Sequence, residues 1–317
     1  MNKGFNSICV IGLGYIGLPT ASLLATKGYD VTGIDVSPKV VDTINKGQIH
    51  IVEPDLDILV KSAVNSGNLR ASLEPVKADI FIIAVPTPFK DNYVPDLSYV
   101  EQASKAIAPY IEPGNLVILE STSPVGTTEN HVAKILKEAG HDIERDVLVA
   151  HCPERVLPGR ILIELVQNDR IIGGINEAST KRAAEFYKEF VSGQVLETNA
   201  RTAELSKLTE NSFRDVNIAF ANELSLICDK ENIDVWNLIS LANRHPRVNI
   251  LQPGPGVGGH CIAVDPWFII DRTPEEARLI KTAREVNDGK PSWVINKITE
   301  RAEKFKNPTI ACLGLAF

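Results

Sequence analysis

Residues 7–17, SICVIGLGYIG, constrain this chain more than any other stretch. An apolar run breaks at Gly12, Gly14 and Gly17, and a helical pattern, PTASLLATKG, follows at once. In a G-x-G-x-x-G turn the first glycine permits the bend and the second lets backbone approach a pyrophosphate. The third lets strand and helix pack closely. Tyr15 and Ile16 fill the same turn, and the helix N-terminus behind it offers unpaired amides and a favourable dipole to an anion. The next apolar run, VTGID, ends on Asp35, 23 residues after Gly12, which is the offset of an acid that binds ribose hydroxyls. A carboxylate there repels a 2′-phosphate and no arginine follows it directly, so NAD is expected rather than NADP, with Lys39 the nearest cation. A glycine turn without a ligand is the plain alternative.

Six more apolar runs follow, DVTGIDV, ADIFIIAVP, LVILEST, DVLVAHC, RIIGG and QVLET, most of them separated by amphipathic stretches such as SYVEQASKAIAPYI. Near-continuous Val and Ile alternating with helical patterns indicates a parallel sheet covered on both faces, a doubly wound α/β domain. Two of these strands end in the polar turns Pro86-Thr87-Pro88 and Ser121-Thr122-Ser123-Pro124. Ligands of such sheets bind at strand C-terminal ends, so Pro86, Thr87 and Thr122 are candidates, although Ser, Thr and Pro suit any turn.

From Arg201 the pattern changes. About thirty residues without Gly or Pro read as one long helix, opened near Asn199 or Thr202. Its apolar face should be buried against other helices or a second subunit. DVWNLISLANR, PEEARLIKTAREVNDG and PSWVINKITERAEKF read as three further helices, and NPTIACLGLAF as a strand entering a glycine turn. The expected organisation is an NAD-binding Rossmann-like domain at 1–200, an all-helical domain at 201–305, and at 306–317 the first strand of a third domain.

A length of 317 residues fits two domains and part of another. A net charge of −7 argues against nucleic acid as the main partner. No apolar stretch approaches the ~20 residues of a membrane span, and no secretory leader is recognisable. Five scattered cysteines, Cys9, Cys152, Cys228, Cys261 and Cys312, fit reduced thiols in the cytoplasm. No set of Cys and His has metal-ligand spacing.

Residues 253–267, PGPGVGGHCIAVDPW, concentrate the chemistry. Gly and Pro exclude a regular helix or strand there, and Cys261 stands among them with Asp265 four residues on. A free Cys is often only a small buried hydrophobe; on a glycine-rich approach it is also a candidate nucleophile. Lys207 and Asn211, spaced i and i+4, share a face of the long helix, where solvent exposure is the ordinary reading.

Taken together, GLGYIGLPTA, IAVPTP, ESTSPVGTTE, CPERVLPG, ELSKLTENSFRDVNIAFANEL and PGPGVGGHCIAVDPW span nearly the whole chain in order. This set resembles the UDP-glucose/GDP-mannose dehydrogenase family, and CPERVLPG with NRHPRVNILQPGPG resembles its branch acting on UDP-N-acetylhexosamines. The resemblance implies an NAD-dependent four-electron oxidation of the sugar C6 alcohol to a carboxylate, on the manno epimer or, alternatively, the gluco one. It makes Cys261 the nucleophile that holds the aldehyde, with Lys207 and Asn211 at the oxyanion, and Asp265, Glu154 and Thr122 in proton transfer and water positioning. It also assigns Glu154, Arg155, Val156, Leu157, Arg214, Arg244, His245, Arg247, Gly254, Gly258 and Gly259 to the substrate, alongside Lys207 and Asn211. Where the glucose branch carries a second Glu, Pro158 stands here. His260 receives no role. The resemblance further implies a homodimer through the helical domain and, from residue 306, a UDP-binding domain. A non-catalytic NAD-binding fragment and a two-electron hydroxyacid dehydrogenase are the competing readings.

Overall fold

The computed structural model describes residues 5–259 and 261–313. These form two compact units, one from 1–88 and 95–207, the other from 89–94 and 208–317.

The first unit carries one eight-stranded sheet of β1 (Ser7–Ile11), β2 (Asp30–Ile34), β3 (Leu69–Ser72), β4 (Ile80–Ile83), β5 (Leu116–Leu119), β6 (Leu148–His151), β7 (Arg170–Gly174) and β8 (Val195–Asn199). The strand order is β3-β2-β1-β4-β5-β6-β7-β8. Helices α1 (Gly17–Thr26), α2 (Pro38–Asn45), α3 (Leu56–Asn65), α4 (Ser98–Ile107), α5 (Lys134–Glu138), α6 (Ile161–Gln167) and α7 (Glu177–Lys188) complete the unit. Every residue of β4 and β5 is buried. Ile8, Val10, Ile80 and Ile82 enter one apolar cluster, and Cys9, Ile11, Phe81 and Ile83 the other. That two-residue alternation between two dry faces explains the near-continuous apolar runs.

All seven expected runs are strands. The eighth, β3, is a four-residue edge, LRAS, too short and polar to show a period. One expectation needs correcting, because the sheet is mixed: β6 and β7 run antiparallel, through the pairs Ala150↔Gly174 and His151↔Gly173. A parallel crossover needs a helix long enough to return along the sheet. The β5–β6 crossover has α5 lengthened by the π-helical turn Thr128–Ala133, whereas the seven residues of α6 rise only about 10 Å, so the chain re-enters from the end it left. Gly173 and Gly174 permit the close packing there, since an added Cβ would lie 2.1 Å from the Asn199 carbonyl oxygen or 2.4 Å from the Thr180 nitrogen.

The second unit contains most of α8 (Ala200–Glu231), which starts in the first unit, with α9 (Val235–Ala242), α10 (Asp265–Arg272) and α11 (Arg278–Ala302). Asn199 caps α8, its Oδ1 accepting from the Thr202 amide at 2.9 Å. The two helices expected at 274–289 and 291–305 are one, since α11 runs through Pro291. Proline removes one hydrogen bond and kinks a helix without necessarily ending it.

Helix α8 buries polar residues and exposes large apolar ones, beside the buried Leu208, Ala219, Ala221 and Cys228. Asn211, Asp215 and Asn222, which share one face at spacings of four and seven, are buried. Phe213, Phe220 and Ile227, seven residues apart on another face, are 69%, 52% and 49% exposed. Other helices of this chain therefore leave that apolar stripe uncovered. The strand expected at the C-terminus is absent from the described residues 308–313, which are exposed and have no strand neighbour to supply ladder bonds. Residues 314–317 and His260 lie outside the described residues.

Candidate active site

In the first unit the three glycines of the β1–α1 turn do three different things. Gly12 adopts φ +92°, and a Cβ there would lie 2.5 Å from the Ala84 carbonyl oxygen. A Cβ on Gly17 would lie 1.8 Å from the Gly12 carbonyl oxygen. A Cβ on Gly14 would meet nothing within 4 Å, so this backbone is open to a ligand. Asp35 ends β2 beside the turn, accepting from the Leu13 amide at 3.2 Å and the Ser37 amide at 2.9 Å. Tyr15 is exposed, and Ile16 half-buried, just before α1 begins. An open glycine backbone, a helix N-terminus and a carboxylate at the next strand end fit the pyrophosphate and ribose of NAD. The two polar turns are tied together: Thr87 Oγ1 donates to the Thr122 carbonyl at 2.5 Å, and Ser121 Oγ to the Val85 carbonyl at 2.7 Å. Pro86 is exposed between them.

Glu154 follows β6 and is buried with both oxygens engaged. Its Oε2 accepts from Arg170 Nη1 at 2.8 Å, and its Oε1 from the Arg155 amide at 2.7 Å. Arg170 is only 1% exposed. Beside this pair Tyr187 donates to Glu120 Oε1 at 2.6 Å. Burial, together with the Glu154 charge, pushes the Glu120 carboxyl up to about 7 against the pull of Arg170 and Tyr187. Val156 is half-buried and Leu157 exposed in the loop that follows. Spacing gave no sign of the cluster, because its members come from separate strands and from α7.

In the second unit Cys261 is exposed, four residues before Asp265 at the start of α10. The Val264 and Asp265 amides both donate to the Cys261 carbonyl, at 3.0 and 2.9 Å. Asn211 Nδ2 donates to Asp265 Oδ2 at 2.5 Å, so helix and loop meet at two expected site residues. Lys207 is half-buried one turn earlier on α8. Among the other cysteines, burial pushes Cys9 up to about 11 and Cys152 up to about 12, which leaves both inert as thiolates.

Arg244, His245 and Arg247 are exposed on a loop closed by Asn243, whose side chain donates to the Ile250 carbonyl at 3.0 Å and accepts the Ile250 amide at 2.7 Å. Arg214 is exposed on α8. Gly258 and Gly259 have open space where a Cβ would stand, whereas Gly254 is anchored through its amide to Asn222 Oδ1 at 2.9 Å. Sequence reasoning missed the buried set Asp215, Asn222, Arg284 and Asn287 behind this loop. The one available signal was two polar residues seven apart, Asp215 and Asn222, around the run VNIAFA, whose only other polar member is Asn217.

Comparison with known proteins follows the same division. Residues 6–191 match the NAD binding domain of the UDP-glucose/GDP-mannose dehydrogenase family, and residues 201–289 match its central domain. A UDP-N-acetyl-D-mannosamine dehydrogenase of Campylobacter jejuni is 62% identical over 326 residues, covering 100% of this chain and 80% of that protein. An NDP-N-acetyl-D-galactosaminuronic acid dehydrogenase of Ralstonia nicotianae is 61% identical, covering 99% of this chain and 76% of that protein. The solved UDP-N-acetyl-mannosamine dehydrogenase Cap5O of Staphylococcus aureus superposes with a TM-score of 0.91 at 46% identity, covering 98% of this chain and 74% of that one. Two family domains in order, on a glycine turn, acid and cysteine loop of the matching kind, place this chain in the UDP-glucose/GDP-mannose dehydrogenase family.

Proposed function

We propose that this chain is the oxidising part of a UDP-N-acetyl-D-mannosamine dehydrogenase, converting the C6 alcohol to a carboxylate. NAD supplies the hydride acceptor, and two molecules are consumed per sugar. The observation that carries the reading is Cys261, an exposed thiol on a glycine-rich loop whose far end, Asp265, is fixed to Asn211. After the first oxidation the Cys261 thiolate adds to the aldehyde carbon as a thiohemiacetal. Loss of the second hydride leaves a thioester, and water then releases the carboxylate and the thiol.

Lys207 and Asn211 stabilise the oxyanions and Asp265 moves protons, while Glu154 and Thr122 position the water. Glycines 12, 14 and 17, with Tyr15, Ile16, Asp35, Pro86, Thr87 and Thr122, hold the cofactor. Arg155, Val156, Leu157, Arg214, Arg244, His245, Arg247, Gly254, Gly258 and Gly259 serve the sugar nucleotide. The domains are 1–200, 201–305 and, opening a UDP-binding domain, 306–317.

The test is NADH release with UDP-N-acetylmannosamine: two equivalents per sugar for the wild-type sequence and no net carboxylate from Cys261→Ala. Full turnover by that variant would sink the thioester route. A second reading, the galacto epimer, is favoured by the 61% identity to the Ralstonia protein, and side-by-side rates on the two sugars separate them. Phe213, Phe220 and Ile227 support a homodimer, since a stripe of seven-residue period can pack against its own copy. Five scattered cysteines with no CxxC spacing support a cytoplasmic location.

A further inference from the structure

The buried polar face of α8 does more than fill space, because its hydrogen bonds point in one direction. Asp215 offers acceptors only, and Arg284 Nη1 donates to its Oδ1 at 2.6 Å. Asn287 must therefore turn its amide nitrogen towards Asp215, and Nδ2 donates to that Oδ1 at 2.7 Å and to the Asp215 carbonyl at 3.1 Å. The Asn287 oxygen then faces Asn222, whose Nδ2 donates to it at 2.9 Å. Asn222 is left with its oxygen outward, and that oxygen accepts the Gly254 amide at 2.9 Å. All four side chains are at most 1% exposed, so no water can supply an alternative partner at low cost. Gly256 seats the next step of the loop on the same support, since a Cβ there would lie 2.8 Å from Pro291 Cγ.

We propose that Asp215, Asn287 and Asn222 are positioning residues, a one-way relay that holds the start of the 253–261 loop and so sets where Cys261 stands. The loop is thereby clamped at both ends to one face of α8, at Gly254 through Asn222 and at Asp265 through Asn211. Eleven residues separate the two asparagines, about three turns of helix, so they project from nearly the same side. This rests on the reading of Cys261 as the nucleophile, but the relay can be measured without turnover.

Polarity gives the test. Asp215→Asn keeps the relay's direction, because Arg284 Nη1 still requires an oxygen at that position and the residue-215 carbonyl still holds the Asn287 nitrogen. Asn222→Asp keeps the acceptor for Gly254 but sets its second oxygen against the Asn287 oxygen. Asn222→Leu removes the acceptor for Gly254 altogether. In a Cys312→Ser background, Asn222→Asp and Asn222→Leu should each change the iodoacetamide alkylation rate of Cys261 at least fivefold, while Asp215→Asn should stay within twofold of the parent. Folded Asn222 variants that alkylate within twofold of the parent overturn the proposal, as does an Asp215→Asn variant that changes the rate as much as they do.

If the single variants fail to fold, hydrogen exchange in the unaltered chain decides instead. The Gly254 amide should exchange at least a hundredfold more slowly than the Gly258 amide, and equal rates overturn the relay. Retained turnover by Cys261→Ala would remove the catalytic meaning while leaving these readouts intact, so the two failures are distinguishable.

Discussion

Each unit buries one arginine against one carboxylate, and the two pairs live in different company. Arg170 meets Glu154 at the edge of a large apolar core in which Phe186, Tyr187, Leu165 and Ile172 are buried. Arg284 meets Asp215 among amides, and the unit around them leaves Phe213, Phe220, Ile227, Trp236 and Leu241 exposed. In the sheet unit the apolar residues make the core, and the ion pair fastens one loop to it. In the helical unit polar side chains share the buried side of α8 with Leu208, Ala219, Ala221 and Cys228, while Phe213, Phe220 and Ile227 are turned outward. A unit of the second kind needs a partner surface to complete its hydrophobic burial; one of the first kind does not.

The two glycine-rich segments give the largest test of that contrast. Gly17→Ala should abolish folding of the sheet unit, because the added carbon would lie 1.8 Å from backbone oxygen that a strand and a helix hold in place. Gly258→Ala, where a Cβ meets nothing within 4 Å, should leave the urea midpoint of the helical unit nearly unchanged. Gly14→Ala separates fold from ligand: normal circular dichroism with NAD affinity down at least tenfold. A folded Gly17→Ala variant would show that the turn is looser than its packing implies.

Next in size are the arginines. Arg170→Met should cost about 3–5 kcal/mol, because it takes from the buried Glu154 carboxylate the guanidinium that it is hydrogen-bonded to. Arg284→Met should cost roughly half as much, since Asn287 continues to donate to Asp215. Equal losses in urea unfolding would mean that the surroundings do not matter and the comparison is wrong.

The same contrast explains what the sequence could reveal. Strands β1, β2, β4 and β5 were legible because two dry faces demand apolar residues at every position, and Gly12, Gly14, Gly17 and Asp35 because their spacing is set by one ligand. The reversal of β7 was not legible, since it follows from the length of α6 rather than from any residue in the strand. Nor was the fusion of two helices across Pro291: the Gly-Lys-Pro sequence reads locally as a break, while packing of Gly256 on Pro291 is a tertiary fact. Cys261, Asp265 and Asn211 could be singled out, yet their supports Asp215, Asn222 and Asn287 look like ordinary helix polar residues until their partners 32 to 72 residues away are known.

A smaller effect is expected at the exposed stripe. Phe220→Asp should raise the dimer dissociation constant at least tenfold by light scattering, since a charge would enter the middle of the seven-residue repeat. The urea midpoint of the sheet unit should not move. An unaltered chain that is monomeric at high concentration would instead show that the stripe has another partner.

The smallest net effect comes from two buried groups of the sheet unit that oppose each other. Burial pushes Glu120 up to about 7 from an ordinary 4.5, so above pH 4.5 the unfolded chain loses this proton while the folded one keeps it. Folding then binds protons, and stability falls as pH rises from 4.5 to 7. Burial drives His151 down to about 3 from 6.5, so below pH 6.5 the unfolded chain gains a proton that the folded one refuses. That contribution rises with pH between 3 and 6.5, the opposite sign. Each slope is at most about 1.4 kcal/mol per pH unit, so between pH 4.5 and 6.5 these two contributions nearly cancel. Glu120→Gln removes one arm, and the midpoint should then climb with pH across that window. The climb should stop near pH 6.5, where the unfolded histidine has lost its proton. A Glu120→Gln profile parallel to the parent's would mean that Glu120 does not titrate as its burial requires.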